Sequence, residues 1–119
     1  MITASFYTNK EAGSITLAVS GHAGADKKGK DIVCAASSIL AYTVAQTIQF
    51  LYEEGGLRKK PNIKLKDGDC VITAKPKPES YAEALHTFFV AQVGFHLLSQ
   101  SYPQYVELEP FYVGESEGS

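Results

Sequence analysis

The sequence predicts an α+β fold of two layers, an antiparallel sheet built from two hairpins with two long helices on one face. Three observations predict it. Two pairs of short, partly alternating apolar runs each close on a turn rich in Asn, Asp or Gly. Two stretches free of Asp, Glu, Lys and Arg, Ile32 to Tyr52 and Ala84 to Val106, are too long for strands, and one follows each pair. The resulting ββα-ββα order is satisfied most simply by helices covering one side of a single sheet.

Each element has its own signal. Ile2 to Thr8 alternates in part and reads as a strand, and Asn9-Lys10-Glu11-Ala12-Gly13 reads as the turn after it. Ile15, Leu17 and Val19 share one face of a second strand that runs to about Ser20. Residues 21–30, with three glycines and three lysines, predict an irregular loop that closes over a ligand. Asp31 is a good N-cap for a helix from Ile32 to about Glu54, which Gly55-Gly56 ends. Asn62 to Lys66 and Cys70 to Ala74 flank Asp67-Gly68-Asp69, a strong hairpin signal, and Pro76 and Pro78 stop that hairpin. Ser80 with Glu83 three residues on forms a capping box for a second helix, which carries Leu85, Phe88, Phe89, Val93 and Leu97 and ends before Pro103. Tyr105 to Leu108 adds a short C-terminal edge strand. At 119 residues the chain is long enough for one real core. We expect one domain over residues 1–113 and a disordered tail over 114–119.

Composition narrows the function classes. With 45% apolar residues, 20% charged residues and a net charge of −2, the chain as a whole has no strong attraction to nucleic acid or membranes. The charge-free stretches carry Ser37, Ser38, Thr43, Gln46, Thr47, Gln49, His86, Gln92, His96 and Gln100, which argues against lipid. They fit helices buried on more than one side, with a second subunit as the further cover. The chain opens straight into a strand-like run with no signal peptide, so the expected address is cytoplasmic, where the two cysteines stay reduced.

The chemistry concentrates at Gly21-His22-Ala23-Gly24 and, six residues on, Asp31-Ile32-Val33-Cys34-Ala35-Ala36-Ser37-Ser38. This puts an imidazole at a strand exit and a thiol in the first turn of a helix. With Asp31 as the cap, Cys34 meets unpaired backbone N–H groups and the positive end of the helix dipole. The dipole supplies about 0.5–1 kcal/mol, less than about one pKa unit, so an imidazolium must supply the rest of any thiolate stabilisation. His22 is the candidate. The amides of Cys34 and Ala35 are candidate oxyanion donors. Gly21, Gly24 and Gly29 suit a gate over such a site. Taken singly, Cys34 also reads as seam packing and His22 as a loop residue. Asp31 either caps the helix or orients His22, and Ser38 either bonds substrate or bonds back to the helix carbonyl four residues earlier. A gated site further predicts that His22 and Cys34 lie beyond hydrogen-bonding distance until peptide binds.

Other motifs are weaker. Cys70 has no histidine near it in sequence and reads as packing. No CxxC, HxxxH or HExxH is present, so neither metal nor cofactor is expected. Gly24, four residues, then Gly29-Lys30 satisfies most of a phosphate-binding loop, but Asp31 stands where the magnesium-binding hydroxyl belongs. Seven of the 11 basic residues fall between Arg58 and Lys77. The alternative they suggest is a non-enzymatic ribosome- or RNA-associated factor, yet only Tyr81 interleaves as an aromatic, which favours a solvated sheet edge over direct nucleic-acid binding.

At Gly21-His22-Ala23-Gly24 and Gly29-Lys30-Asp31-Ile32-Val33-Cys34-Ala35-Ala36-Ser37-Ser38 the sequence resembles the ribosomal-processing cysteine protease family Prp, and length and element order extend the resemblance over nearly the whole chain. The resemblance implies that His22 and Cys34 are a catalytic dyad, that residues 21–30 gate the site, and that the protein is a homodimer. It also implies the substrate, the N-terminal extension of a large-subunit ribosomal protein precursor (L-twenty-seven), cut after a hydrophobic stretch ending in aromatics.

Overall fold

The structure, a computed structural model, describes residues 1–22 and 30–114, with only the backbone of Lys30, Asp31 and Tyr112. Strands β1 (Ile2–Asn9) and β2 (Ser14–Ser20) form the first hairpin, followed by α1 (Lys30–Glu53). Strands β3 (Asn62–Lys66) and β4 (Asp69–Ala74) form the second, followed by one 3-10 turn, Pro78–Ser80, and α2 (Tyr81–Ser101). Two short strands come last, β5 (Val106–Leu108) and β6 (Tyr112–Gly114).

The α+β architecture and the ββα-ββα order are as expected. The strands lie in the order β3-β4-β2-β1-β5, with β6 also paired to β1. The hairpins join through antiparallel β2 and β4, which set Ile15 opposite Ala74, Val19 opposite Cys70 and Ser20 opposite Asp69. The sheet departs from the expectation at its edge, where β5 and β6 both run parallel to β1. The chain reaches that edge through a helix rather than a tight turn, and such crossovers deliver parallel strands. The edge strand at 105–108 therefore exists as β5, and β6 was not foreseen. Gly114 closes β6 instead of opening the tail, and 115–119 lie outside the described residues.

Period-two alternation explains the core. Ile2, Ala4 and Phe6 on β1, Ile15, Leu17 and Val19 on β2, and Ile72 and Ala74 on β4 turn to one face and are buried. Both helices cover that face, α1 with Val33, Ala41, Val44, Ala45, Ile48 and Leu51, and α2 with Ala84, Phe88, Ala91, Phe95 and Leu98. Phe95 meets Phe6 edge-on, with centroids 6.0 Å apart. The apolar set read for α2 divides between two faces: Phe88 is buried, whereas Phe89, Val93 and Leu97 are exposed.

The helix ends differ in detail from the reading. α1 begins at Lys30 rather than Ile32, so Asp31 stands inside its first turn rather than at the cap, a two-residue shift of the kind helix starts commonly show. Ser80 does precede α2, but its hydroxyl makes no capping bond, because the 3-10 turn brings the chain in with Ser80 near-helical at φ −110°, ψ 2°. The Gly55-Gly56 stop is as expected: Gly55 adopts φ +85° and the Gly56 amide donates to the Leu51 carbonyl at 2.8 Å.

Candidate active site

At one end of the sheet, where β2 runs out beside the β3–β4 turn, a cleft of about 140 Å³ opens between that turn and the start of α1. Its lining includes His22, Cys34, Ser37, Ser38, Tyr42 and Cys70. The two chemical groups singled out in the sequence are thus brought to one cavity by different elements. Cys34 arrives on α1, half-buried beside fully buried Val33. His22 arrives at the exit of β2.

The position of His22 follows from two glycines. Gly21 has φ +92°, and a side chain there would run into the Met1 carbonyl oxygen. Its amide donates to the Gly68 carbonyl at 3.0 Å, which ties the strand exit to the β3–β4 turn. Gly68 itself, at φ +75°, lies under the imidazole: a Cβ there would come within 2.6 Å of Nε2 and 2.7 Å of Cε1. The ring's other nitrogen, Nδ1, is 4.0 Å from the Asp67 carboxylate, with both side chains largely exposed. The second hairpin is therefore the seat of His22, a role not read from the sequence. The Asp67-Gly68-Asp69 signal foretold the turn; its service to His22 depends on β2 pairing with β4, a contact across the whole of α1 that no local pattern carries.

Among the described residues no hydrogen bond joins His22 to Cys34. Ser38 lies in the cleft and is exposed, and it donates no bond back to the Cys34 carbonyl, unlike Thr43, Thr47 and Thr87, each of which bonds the helix carbonyl four residues earlier. Because α1 begins at Lys30, the amides of Cys34 and Ala35 fall within the helical ladder, and the unpaired donors belong to the residues ahead of them. The Asp31 side chain, Gly24, Gly29 and the rest of the expected gate at 23–29 lie outside the described residues.

Cys70 packs against the core as read, and it is also part of the cleft wall, half-buried, with its thiol donating to the Lys66 carbonyl at 3.5 Å. Burial, and then the negative charge of Asp69, raise its pKa above the ordinary 9.0, so it is a neutral thiol at physiological pH. Among the described residues, no three His, Cys, Asp or Glu side chains converge closely enough to hold a metal ion. In the basic segment, Arg58 is spent on structure: it donates to the carbonyls of Ala12 at 2.6 Å and Pro76 at 3.3 Å. Lys64 pairs with Asp69 at 2.6 Å.

A thiol and an imidazole around one small cleft are the equipment of a cysteine hydrolase. Residues 1–107 match the family described as cysteine protease Prp, and the chain belongs to that family; it is a cysteine protease. Its structure resembles that of the essential ribosomal processing protease Prp from S. aureus in complex with a covalently linked product peptide, at 25% identity and TM-score 0.66, over 94% of this chain and 99% of that one. The same S. aureus protease in complex with a substrate peptide matches at 22% identity and TM-score 0.60, over the same shares of both chains. SMU.848 from Streptococcus mutans shares the fold at 23% identity and TM-score 0.66, over 97% of this chain and 95% of that one. No curated protein matches the chain.

Proposed function

We propose that this protease removes the N-terminal extension of a large-subunit ribosomal protein precursor, L-twenty-seven, with Cys34 as nucleophile and His22 as its acid–base partner. The observation that carries the residue assignment is the shared cleft: the family's chemistry needs a thiol and a base, and these two line one cavity. The S. aureus relative, a ribosomal processing protease seen with a covalently linked product peptide, supports both the substrate class and the thiolate chemistry.

In the working cycle the imidazole turns on its Gly68 seat towards Cys34 and takes its proton. The thiolate attacks the scissile carbonyl, and the positive end of α1 stabilises the charge that develops. Ser38, one turn further along α1, supplies a hydroxyl donor within the same cleft. His22 then protonates the leaving amine, and water releases the acyl group through the same base. Asp67 is suited to hold the ring by its far nitrogen, a task the sequence suggests for Asp31 as the alternative to capping. The enzyme acts in the cytoplasm as a homodimer, with the outward apolar residues of both helices as the contact: Ile39, Val90 and Leu97 are each about 60% exposed on the single chain.

The test is incubation of the protein with a peptide from the N-terminus of its own host's ribosomal protein precursor, followed by mass spectrometry of the products. One cut releasing the extension is expected, and none from Cys34→Ser at unchanged circular dichroism. Full turnover by Cys34→Ser would remove the nucleophile assignment; cleavage of unrelated peptides but not this one would remove the substrate.

A further inference from the structure

The chain has two cysteines, and both line the same small cleft. Register puts Cys70 there. It pairs with Val19 across the β2–β4 ladder and lies two positions before fully buried Ile72, so its side chain leaves the sheet on the helix-covered face. Cys34 reaches the cleft from α1, which packs on β4. Both sulfurs are free thiols, and both side chains are half-buried. Peptide hydrolysis through Cys34 has no task for a second sulfur in this wall, and a valine or serine would fill the position.

We propose that Cys70 is the resolving thiol for Cys34, closing a reversible disulfide across the cleft when a peroxide oxidises the nucleophile. The Cys34 thiolate attacks one peroxide oxygen, the O–O bond breaks, and the departing hydroxide takes a proton to leave as water, with Cys34 now a sulfenic acid. Cys70 loses its proton to solvent and attacks that sulfur; the S–S bond forms, the S–O bond breaks, and the second hydroxide is protonated to water. Two thiols and one hydrogen peroxide thus give one disulfide and two waters. The bond needs Cα atoms roughly 4.4–6.8 Å apart. The segments that adjust are the start of α1 and the β3–β4 turn, both at element ends, where local opening is least costly. Burial keeps Cys70 protonated at neutral pH, which suits it to the resolving role, and resolution quickens as pH rises. Without Cys70 the sulfenic acid proceeds to sulfinic and sulfonic acids, which thiols do not reverse.

The consequence for activity rests on Cys34 being the nucleophile, but the bond is read without it. Native protein is treated with hydrogen peroxide, alkylated and digested with trypsin under non-reducing conditions. Because trypsin spares the Lys75-Pro76 and Lys77-Pro78 bonds, the expected product is the segment 31–58 joined to 67–119 within a monomer-sized chain, lighter by two hydrogens than the two peptides together. Peptidase activity is lost in step with that product and returns with dithiothreitol. Cys70→Ser, compared with its own untreated activity, loses activity to peroxide and does not regain it, while its Cys34 peptide gains two or three oxygens. The proposal is overturned if native Cys34 reaches the sulfinic acid with no linked peptide, or if the linkage joins two chains. Should the linked peptide form while activity is unaffected, the disulfide stands and the assignment of Cys34 as nucleophile fails.

Discussion

At Gly68 one missing side chain serves two ends. The turn needs a left-handed residue, and the imidazole needs bare backbone beneath it. Gly68→Ala therefore costs about 1–2 kcal/mol of backbone strain and also pushes His22 off its seat. Gly55 separates the two effects, since it has φ +85° with nothing within 4 Å of an added methyl group. Gly55→Ala and Gly68→Ala should lower the melting temperature by similar amounts, whereas only Gly68→Ala should lower kcat/KM well below the fraction folded. Equal kcat/KM for the two variants would remove the seat. Cys70 gives a second test at this scale. Its thiol holds its proton to higher pH when folded than when unfolded, chiefly through burial and then through Asp69. Between the unfolded and folded pKa the native state binds more protons, so this contribution is complete below about 9 and is lost as pH rises through that window. Urea midpoints measured from neutral to alkaline pH should fall more steeply for the native protein than for Cys70→Ala.

Between elements, the helices pack tightly at Gly94 of α2, where an added Cβ would meet Leu40 Cδ2 of α1 at 2.6 Å. Two effects compete in a substitution there. Alanine gains up to about 1 kcal/mol of helix propensity and asks the flexible end of Leu40 to move. Valine lacks that gain and adds methyl groups to a filled contact, at a cost of roughly 1–3 kcal/mol. Denaturant melts should show Gly94→Ala near the native stability, Gly94→Val clearly below it, and Leu40→Ala recovering part of the loss in the Gly94→Val background. Nothing in the sequence marks Leu40 and Gly94 as partners. Their helices and the Gly55-Gly56 stop were legible because periodicity, turn residues and charge-free runs are local; the pairing of helix faces is not. The same division explains the caps. Asp31 and Ser80 have the right chemistry, but where each helix starts is decided by how the preceding chain enters, through a start two residues earlier, at Lys30, and through the 3-10 turn at 78–80.

For the molecule as a whole, the ββα-ββα order and the coincidence of His22 and Cys34 could be read in advance, the first from alternation and the second from a dense motif. The parallel edge and the membership of Cys70, Asp67 and Gly68 in the cleft could not, since both depend on which strands meet after a helical crossover. Apolarity on all sides of the helices was legible too, and the fold now divides it. On α2 the buried seam is Ala84, Phe88, Ala91, Phe95 and Leu98; a second seam at His86, Val90, Val93 and Leu97, spaced four, three and four, faces away from the sheet. Between this seam and Ile39, Leu40 and Thr43 of α1 runs a groove of about 770 Å³. By length and composition α1 is also apolar enough to cross a membrane, at mean hydropathy 1.3 over Ile32–Glu53, yet Thr43 and Thr47 in this groove and the packing of α1 on the sheet fit a protein partner better. A second copy satisfies the same surface on both chains at once, the self-complementarity that a two-fold dimer requires. Val90→Lys should therefore convert a dimer into a monomer in sedimentation velocity with the circular dichroism spectrum retained, and Glu79→Lys, off the seam, should leave the dimer intact. A native protein that sediments as a monomer at every concentration would show that this face is covered by something other than its own twin.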